Sequence, residues 1–178
     1  MNWKRIGMVV AGVGVVGALS AVVGLSLLPK DYDVNRSVVI DAPPEVIWDH
    51  VVILENHETW SPWQAMDPTT VNTYSGPEGV GHTMEWDGEK TGRGSQDVIA
   101  LSPYTRADMR VEFEGMGGAD VYFNFEPVDA NSTTVTWGLA GTNEGLTGGL
   151  FAALMDSFIG ADYEDGLARL KTVVESEA

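Results

Sequence analysis

Cysteine is absent from the 178-residue chain, and basic residues are scarce. The lack of cysteine excludes disulfides, thiolate metal sites and cysteine nucleophiles, so a hydrophobic core has to stabilise the fold. Ten Lys and Arg stand against 26 Asp and Glu, and residues 31–178 carry a formal charge of −19. Such a surface repels phosphates, so no nucleic-acid partner is expected. The charge is typical of a solubilising acidic surface in a salty habitat, or of a protein with a cationic partner.

Charge is also missing from the N-terminal segment. Residues 6–28 form a run of 23 residues without a charged side chain. As a helix, this run would reach roughly 35 Å, enough to span a hydrocarbon core of about 30 Å. It predicts a single transmembrane helix, with an anchor at residues 1–30 and a domain at residues 31–178. Lys4 and Arg5 precede the run, which predicts a cytoplasmic N-terminus and an extracytoplasmic domain.

Two other interpretations of this segment are open to the sequence. A cleaved signal peptide is the main alternative, because Ala18-Leu19-Ser20 could serve as a small-residue cleavage site. Gly12, Gly14 and Gly17 match a dinucleotide-binding pattern, but they lie within an apolar run and not between a strand and a helix. They are interpreted as small residues of a membrane helix, and no cofactor is expected.

Beyond residue 30 the pattern changes to short alternating segments separated by turn residues. Residues 32–40 predict a first strand, and Asp41 with the prolines after it predicts the start of a short helix. Pro62 ends a second short helical piece. Six further strands are predicted, at residues 71–75, 83–87, 96–101, 107–113, 119–126 and 133–141. The short connections predict antiparallel pairing, because parallel strands need crossovers of about a dozen residues.

A long helix is predicted at about residues 150–174, where apolar side chains recur at three- and four-residue steps. Gly160 and Gly166 lie inside it, at a cost of about 1 kcal/mol each, which indicates close approach of another backbone or of a ligand. A local bend is the alternative. The fold class is therefore α+β, with a curved antiparallel sheet around a C-terminal helix.

Several motifs accompany this order of elements. They are VIDAPPEVIW at 39–48, WSPW at 60–63, YSGP at 74–77, GVG at 79–81, and Met155, Asp156, Ile159, Gly160, Asp162, Tyr163, Glu164, Gly166 and Leu167. With these motifs, the order of elements resembles the helix-grip proteins of the SRPBCC or START-like (Bet v 1-like) superfamily, especially the polyketide cyclase/dehydrase and lipid-transport type. The resemblance covers residues 32–175 and implies six to seven strands wrapped on the last helix. Members of this superfamily range over binding, transport and catalysis, so the activity stays open.

Residue types that commonly carry catalysis form no recognisable pattern. The spacing of His50, His57 and His82 matches no metal site, so no metal is expected. No Gly-x-Ser-x-Gly elbow is present to indicate a hydrolase. In an enzyme of this superfamily, His82 or Asp162 would be the candidate acid or base at the cavity; structural or exposed roles are the alternative.

Aromatic and other bulky side chains are the more informative set. Each of them fits ordinary core packing, but the resemblance implies a ligand cavity between the sheet and the C-terminal helix. Alternate residues of a strand face opposite ways, so not all of them can line one space. The predicted ligand-binding residues are Trp60, Trp63, Trp86, Phe113, Tyr122, Trp137, Phe151, Met155 and Phe158.

The sequence therefore predicts a membrane-anchored domain that binds, or transports, a lipid or other hydrophobic small molecule. The first alternative is a polyketide cyclase-like acid–base enzyme acting on an apolar substrate. The second is a protein-interaction module of the co-chaperone type. A titratable group with a shifted pKa in the cavity would favour the enzyme, and a filled core with an exposed apolar patch would favour the interaction module.

Overall fold

The computed structural model describes Gly24 and residues 26–177. The predicted membrane helix at residues 6–28 lies almost entirely outside these described residues. Within them, no helix is both long enough and apolar enough to cross a membrane. The elements are β1 Asp31–Ile40, α1 Pro44–Val52, a 3₁₀ turn Leu54–Asn56, α2 His57–Trp60, α3 Pro62–Met66, β2 Val71–Ser75, β3 Thr83–Gly88, β4 Gly92–Ser102, β5 Arg106–Phe113, β6 Gly117–Asp129, β7 Ser132–Thr142 and α4 Gly148–Glu177.

The seven strands form one sheet in the order β1-β7-β6-β5-β4-β3-β2. From β2 to β7 each strand pairs antiparallel with the next one along the chain. This confirms the antiparallel sheet and the long C-terminal helix of the predicted α+β fold. The strands are longer than predicted at several ends, because hairpin pairing continues through turn residues such as Gly88 and Gly92.

The two faces of the sheet differ in character. On β5 and β6 the buried residues occupy alternate positions and form the inner face: Ala107, Met109, Val111, Ala119, Val121, Phe123 and Phe125. The residues between them form an outer face with exposed charge, where Arg110 pairs with Glu112 at 2.8 Å and with Asp120 at 2.9 Å. Glu112 thus lies on the solvent side, as its alternation with Phe113 predicts.

The described chain divides into two compact units, one formed by Gly24, residues 26–32 and residues 142–154, and the other by residues 33–141 and 155–177. In the described part of the smaller unit, the Thr142 hydroxyl donates to Asp31 Oδ1 at 2.6 Å. The Asn143 amide donates to the Lys30 carbonyl oxygen at 3.0 Å. The larger unit holds the inner face of the sheet, the short helices and α4 from Met155 onward.

Within the larger unit, two glycines of α4 admit side chains from the sheet and from α3. The Arg36 guanidinium lies against Gly160 and binds Asp156 at 2.8 Å and Glu164 at 2.6 Å. The Arg36 side chain holds the pKa of Asp156 below its usual value. Gly166 faces the Trp137 ring and Pro62. The close approach predicted at Gly160 and Gly166 is therefore made by side chains of other elements and not by another backbone.

The predicted apolar stripe of α4 is buried only in its second half. Tyr163, Leu167, Leu170 and Val174 are almost fully buried, whereas Phe158 is 57% exposed. From Tyr163 onward the stripe therefore packs into the core of the larger unit, whereas before it Leu150, Phe151, Leu154 and Phe158 are exposed and Met155 and Ile159 are half-buried.

Candidate ligand cavity

A cavity of about 110 Å³ lies within the larger unit. One wall is the inner face of the sheet from β3 to β7. The other walls are formed by α2 and α3, by Thr70 and Asn72 at the start of β2, and by Ile159 and Tyr163 of α4. Several lining residues, including Trp63, Trp86 and Asn72, are only half-buried, so the cavity opens to solvent. The lining residues are His57, Glu58, Trp60, Ser61, Trp63, Gln64, Thr70, Asn72, Met84, Trp86, Thr91, Gln96, Val111, Phe113, Val121, Trp137, Leu139, Ile159 and Tyr163.

Trp137 is the centre of the inner wall. Its ring stacks on Tyr163 at 3.9 Å and on Phe123 at 5.2 Å, measured between ring centroids. Trp60 and Trp63 meet it edge to face at 5.3 and 5.5 Å. Trp137 Nε1 is buried without a hydrogen-bond acceptor in the described part of the chain, so no hydrogen bond from the indole helps to hold this side chain. Stacked and edge-to-face pairs each add about 0.5–1.5 kcal/mol beyond area burial, which makes this a rigid wall.

The corner between α1 and α2 fixes Trp60 and His57. The Trp60 indole donates to the His50 carbonyl oxygen at 2.8 Å, and His57 Nε2 lies 2.6 Å from the Val51 carbonyl oxygen. A carbonyl oxygen only accepts, so Nε2 carries the proton. Burial lowers the pKa of His57 to about 4, and the imidazole is therefore neutral at pH 7.

Trp86 and Phe113 form the wall on the β3–β5 side, with ring centroids 5.7 Å apart. Gly94 lies between them in the sheet, paired with both residues. A side chain at Gly94 would collide with the Trp86 ring, so glycine is required for the two aromatic rings to meet across β4.

Asp67 ties the hairpin that carries Trp86 to the end of α3. This buried carboxylate accepts from the Lys90 amide at 2.8 Å and from the Thr69 hydroxyl at 2.7 Å. These hydrogen bonds, that from the Lys90 amide first, lower the pKa of Asp67 to about 2. The carboxylate is therefore ionised and holds the hairpin beside the cavity.

The mouth of the cavity, where Glu58 is exposed and Asn72 and Gln64 are half-buried, is polar. Glu58 Oε1 accepts from the Tyr74 hydroxyl at 2.7 Å and from Asn72 Nδ2 at 3.1 Å. Asn72 also donates to Gln64 Oε1 at 3.0 Å. Burial, followed by the neighbouring Glu58 carboxylate, raises the pKa of Tyr74, so its phenol stays protonated and remains a donor. Among the described lining residues, Glu58 is the one carboxylate, and none is Lys or Arg.

Five of the nine predicted ligand-binding residues meet at this cavity: Trp60, Trp63, Trp86, Phe113 and Trp137. The remaining four are not among its lining residues.

Tyr122 lies on the outer face of the sheet, where its hydroxyl donates to Asp33 Oδ1 at 2.8 Å and Arg106 covers its ring at 4.8 Å. Phe151 and Phe158 are 53% and 57% exposed, and Met155 on α4 is half-buried outside the lining.

Sequence reasoning missed Tyr163, Val111, Leu139 and the polar mouth. Tyr163 could have been found, because it lies on the apolar stripe of α4. The candidate acid–base residues His82 and Asp162 do not line the cavity. His82 is buried elsewhere, with Nε2 3.5 Å from Glu55 Oε1.

A seven-stranded sheet that holds a long C-terminal helix and encloses an aromatic cavity is a helix-grip domain. The profile of the polyketide cyclase / dehydrase and lipid transport family matches residues 32–175. The chain belongs to this family, as the resemblance predicted.

Solved structures of similar fold share little sequence with this chain. A Thalictrum flavum norcoclaurine synthase mutant with a transition-state analogue is 10% identical, with a TM-score of 0.63 over 83% of this chain and 96% of that one. The Aha1 dimer from Colwellia psychrerythraea is 21% identical, with a TM-score of 0.54 over 78% of this chain and 96% of that one. DynU16, from the dynemicin biosynthetic locus, is 20% identical, with a TM-score of 0.58 over 82% of this chain.

The match to DynU16 spans 48% of that protein, so this chain corresponds to about half its length. A comparison with curated proteins finds no match. At these identities the structural similarities establish the fold alone.

Proposed function

We propose that the domain binds a hydrophobic small molecule in the cavity lined by the four tryptophans Trp60, Trp63, Trp86 and Trp137. The cavity itself is the observation that carries this proposal, because a close-packed core would leave no comparable space. The family description, which includes lipid transport, supports the same function.

The size of the cavity limits the ligand. Ligand pockets usually measure about 300–1,000 Å³, whereas this one measures about 110 Å³. It therefore accommodates a single ring or a short chain, or one end of a longer molecule that emerges through the polar mouth beside Glu58 and Asn72.

One substitution made at two valines tests whether this space is a binding site. Val111 lines the cavity, whereas Val135 is fully buried and is not among the lining residues. Val111→Phe should fill the cavity at little cost in stability, while Val135→Phe should cost about 1–3 kcal/mol by overpacking. Chemical denaturation of the two variants measures this difference.

Ligand binding completes the test. A panel of neutral single-ring compounds, scored by thermal shift, should stabilise the wild type by mass action. Val111→Phe should abolish that shift, and Val135→Phe should retain it at temperatures where the variant is folded. Equal destabilisation by the two substitutions, with no compound that shifts the wild type, would contradict the proposal.

An acid–base enzyme acting on an apolar substrate is the second candidate. Glu58 favours it, because this carboxylate stands at the mouth of an otherwise uncharged cavity. Conversion of a bound compound on incubation, seen as a change in its mass and abolished by Glu58→Gln, would establish catalysis. Binding without conversion across the panel would favour the pure binding function.

We also propose that residues 6–28 anchor the domain to a membrane, with the N-terminus in the cytoplasm. The uncharged 23-residue run supports this proposal. Protease added to intact cells stripped of their wall should then digest the domain, and digestion confined to inverted vesicles would reverse the topology.

A further inference from the structure

We propose that the ligand of this cavity carries a positive charge beside its apolar body, as an organic ammonium does. The inference rests on the proposed binding function and names the ligand class for the same site. It is drawn from the charges of the lining residues, from the aromatic walls and from the net charge of the domain.

The described residues that line the cavity carry a negative charge and no positive one. Glu58 is the one charged side chain among the described lining residues, and it stands at the mouth. Its two hydrogen bonds, from Tyr74 and Asn72, both end on Oε1. A carboxylate has about four acceptor positions, so Glu58 keeps capacity to accept from a ligand N–H. Donors that already hold Oε1 fix the carboxylate in place for that contact.

No cation is present in the lining to neutralise Glu58 or to receive an anionic head group. His57 lines the cavity, but burial lowers its pKa to about 4 and leaves it neutral. The two basic residues on the neighbouring hairpin are occupied elsewhere: Lys90 Nζ donates to the Met66 carbonyl oxygen at 3.1 Å, and Arg93 pairs with Asp87 at 2.9 Å. A fatty acid or a phosphate ester would therefore meet a carboxylate with no counter-charge.

The walls suit a cation as well as an apolar ring. Besides Trp137 and Tyr163, whose rings already stack on each other, the lining contains the aromatic residues Trp60, Trp63, Trp86 and Phe113. The faces of such rings attract ammonium groups, most strongly where water is excluded. A carboxylate combined with aromatic faces binds an ammonium head and the hydrophobic group attached to it in one small space.

The domain as a whole reinforces this preference. Residues 31–178 carry a formal charge of −19, and such a field concentrates cations and repels anions. The cationic partner that the composition allows is therefore, on this proposal, a small molecule at the cavity.

Three probes of nearly equal size separate head-group charge from hydrophobicity: 2-phenylethylamine, 2-phenylethanol and 3-phenylpropanoate. Calorimetric titration of the purified full chain at pH 7 and low salt should rank the amine first. We expect the amine to bind about tenfold more tightly than the alcohol, and the carboxylate to bind most weakly, because charge-assisted hydrogen bonds are roughly twice as strong as neutral ones. Raising NaCl to about 1 M should narrow the gap between amine and alcohol.

Glu58→Gln tests the carboxylate directly. The amide oxygen still accepts from Tyr74 and Asn72, so the fold should be kept while the charge is lost. The amine should lose about tenfold in affinity, and the alcohol should change less than twofold. Glu85→Gln is the matched control, because Glu85 is exposed on β3 between the lining residues Met84 and Trp86 and is not part of the lining. This control should leave the amine-to-alcohol ratio unchanged.

The outcomes distinguish this inference from the function on which it rests. Binding of the alcohol at least as tightly as the amine, or an amine affinity that Glu58→Gln leaves unchanged, would overturn the ammonium proposal and leave hydrophobic binding intact. An equal loss of amine affinity in the Glu58→Gln and Glu85→Gln variants would show that net charge alone causes the preference, and would also overturn the ammonium proposal. Failure of all three probes to bind would count against the binding function itself.

Discussion

Replacing Gly166 by alanine should destabilise the domain, although the same change stabilises most helix interiors. In a helix interior alanine is better than glycine by about 1 kcal/mol. At Gly166, however, the added Cβ would lie 2.7 Å from Trp137 Cζ3 and 3.0 Å from Pro62 Cδ. Neither neighbour yields easily, because Trp137 is stacked on Tyr163 and Pro62 begins α3. Overpacking costs about 1–3 kcal/mol, so the net loss should be up to about 2 kcal/mol.

Gly160→Ala is the matched control on the same helix. Its new Cβ would meet the guanidinium of Arg36, the far end of a flexible side chain. Movement of Arg36 would weaken exposed ion pairs with Asp156 and Glu164, each worth no more than about 1 kcal/mol. The gain in helix propensity offsets much of that loss, so the free energy of unfolding should stay within about 1 kcal/mol of the wild type.

Urea denaturation of the purified full chain, followed by tryptophan fluorescence, measures both variants. For a domain of this size 1 kcal/mol corresponds to roughly 2–4 °C in Tm, so thermal unfolding gives an independent estimate. Gly166→Ala should also change the near-UV circular dichroism, because it displaces Trp137. Stabilisation by Gly166→Ala, equal to or greater than that by Gly160→Ala, would refute the assigned contact between α4 and the aromatic wall.

Three further predictions concern salt, pH and the anchor. Because the domain carries a charge of −19, screening should raise its Tm from low salt to about 1 M NaCl, and a flat or falling Tm would contradict this. The pKa of His57 is lowered to about 4 from an ordinary 6.5, so its contribution to stability is complete above pH 6.5 and is lost as the pH falls toward 4. His57→Gln should reduce the dependence of the free energy of unfolding on pH between pH 4 and 6.5. An unchanged dependence would show that other groups cause the loss of stability in that range. Full-length protein should resist carbonate extraction from membranes, and a mature N-terminus near Ala21 would show that residues 6–28 are cleaved.

Alternation and helical periodicity were enough to predict the sheet and the C-terminal helix, whereas the expectation of an aromatic cavity between them came from the family resemblance. The same alternation also indicates that Tyr122 faces outward. The odd positions of β6, Ala119, Val121, Phe123 and Phe125, are apolar and face the core, so the even position 122 faces the opposite side. Selecting residues by type rather than by strand parity placed Tyr122 in the cavity. The face of the sheet to which each side chain points follows from the strand's register, and the register is strongly fixed where one face of the sheet is buried.

Other features of the site could not be read from sequence. Glu58 is one of 26 acidic residues, and only tertiary structure brings it beside Tyr74 and Asn72. Phe158 fits the apolar spacing of α4 as well as Tyr163 does, but the sheet covers only the face that includes Tyr163. Which part of a helix is covered depends on how the chain enters it, and local periodicity carries no information about that.

The side-chain N–H signals of the tryptophans test the central claim most directly. Trp60, Trp63, Trp86 and Trp137 line the cavity, whereas Trp48 packs against Tyr104 and Phe125 away from it. Titration of ¹⁵N-labelled full chain with 2-phenylethylamine and 2-phenylethanol, with signals assigned by single Trp→Phe variants, should shift the four cavity indoles saturably and leave Trp48 in place. Indole signals that stay unchanged, or shifts of the same size at Trp48, would contradict a ligand site between the sheet and the C-terminal helix.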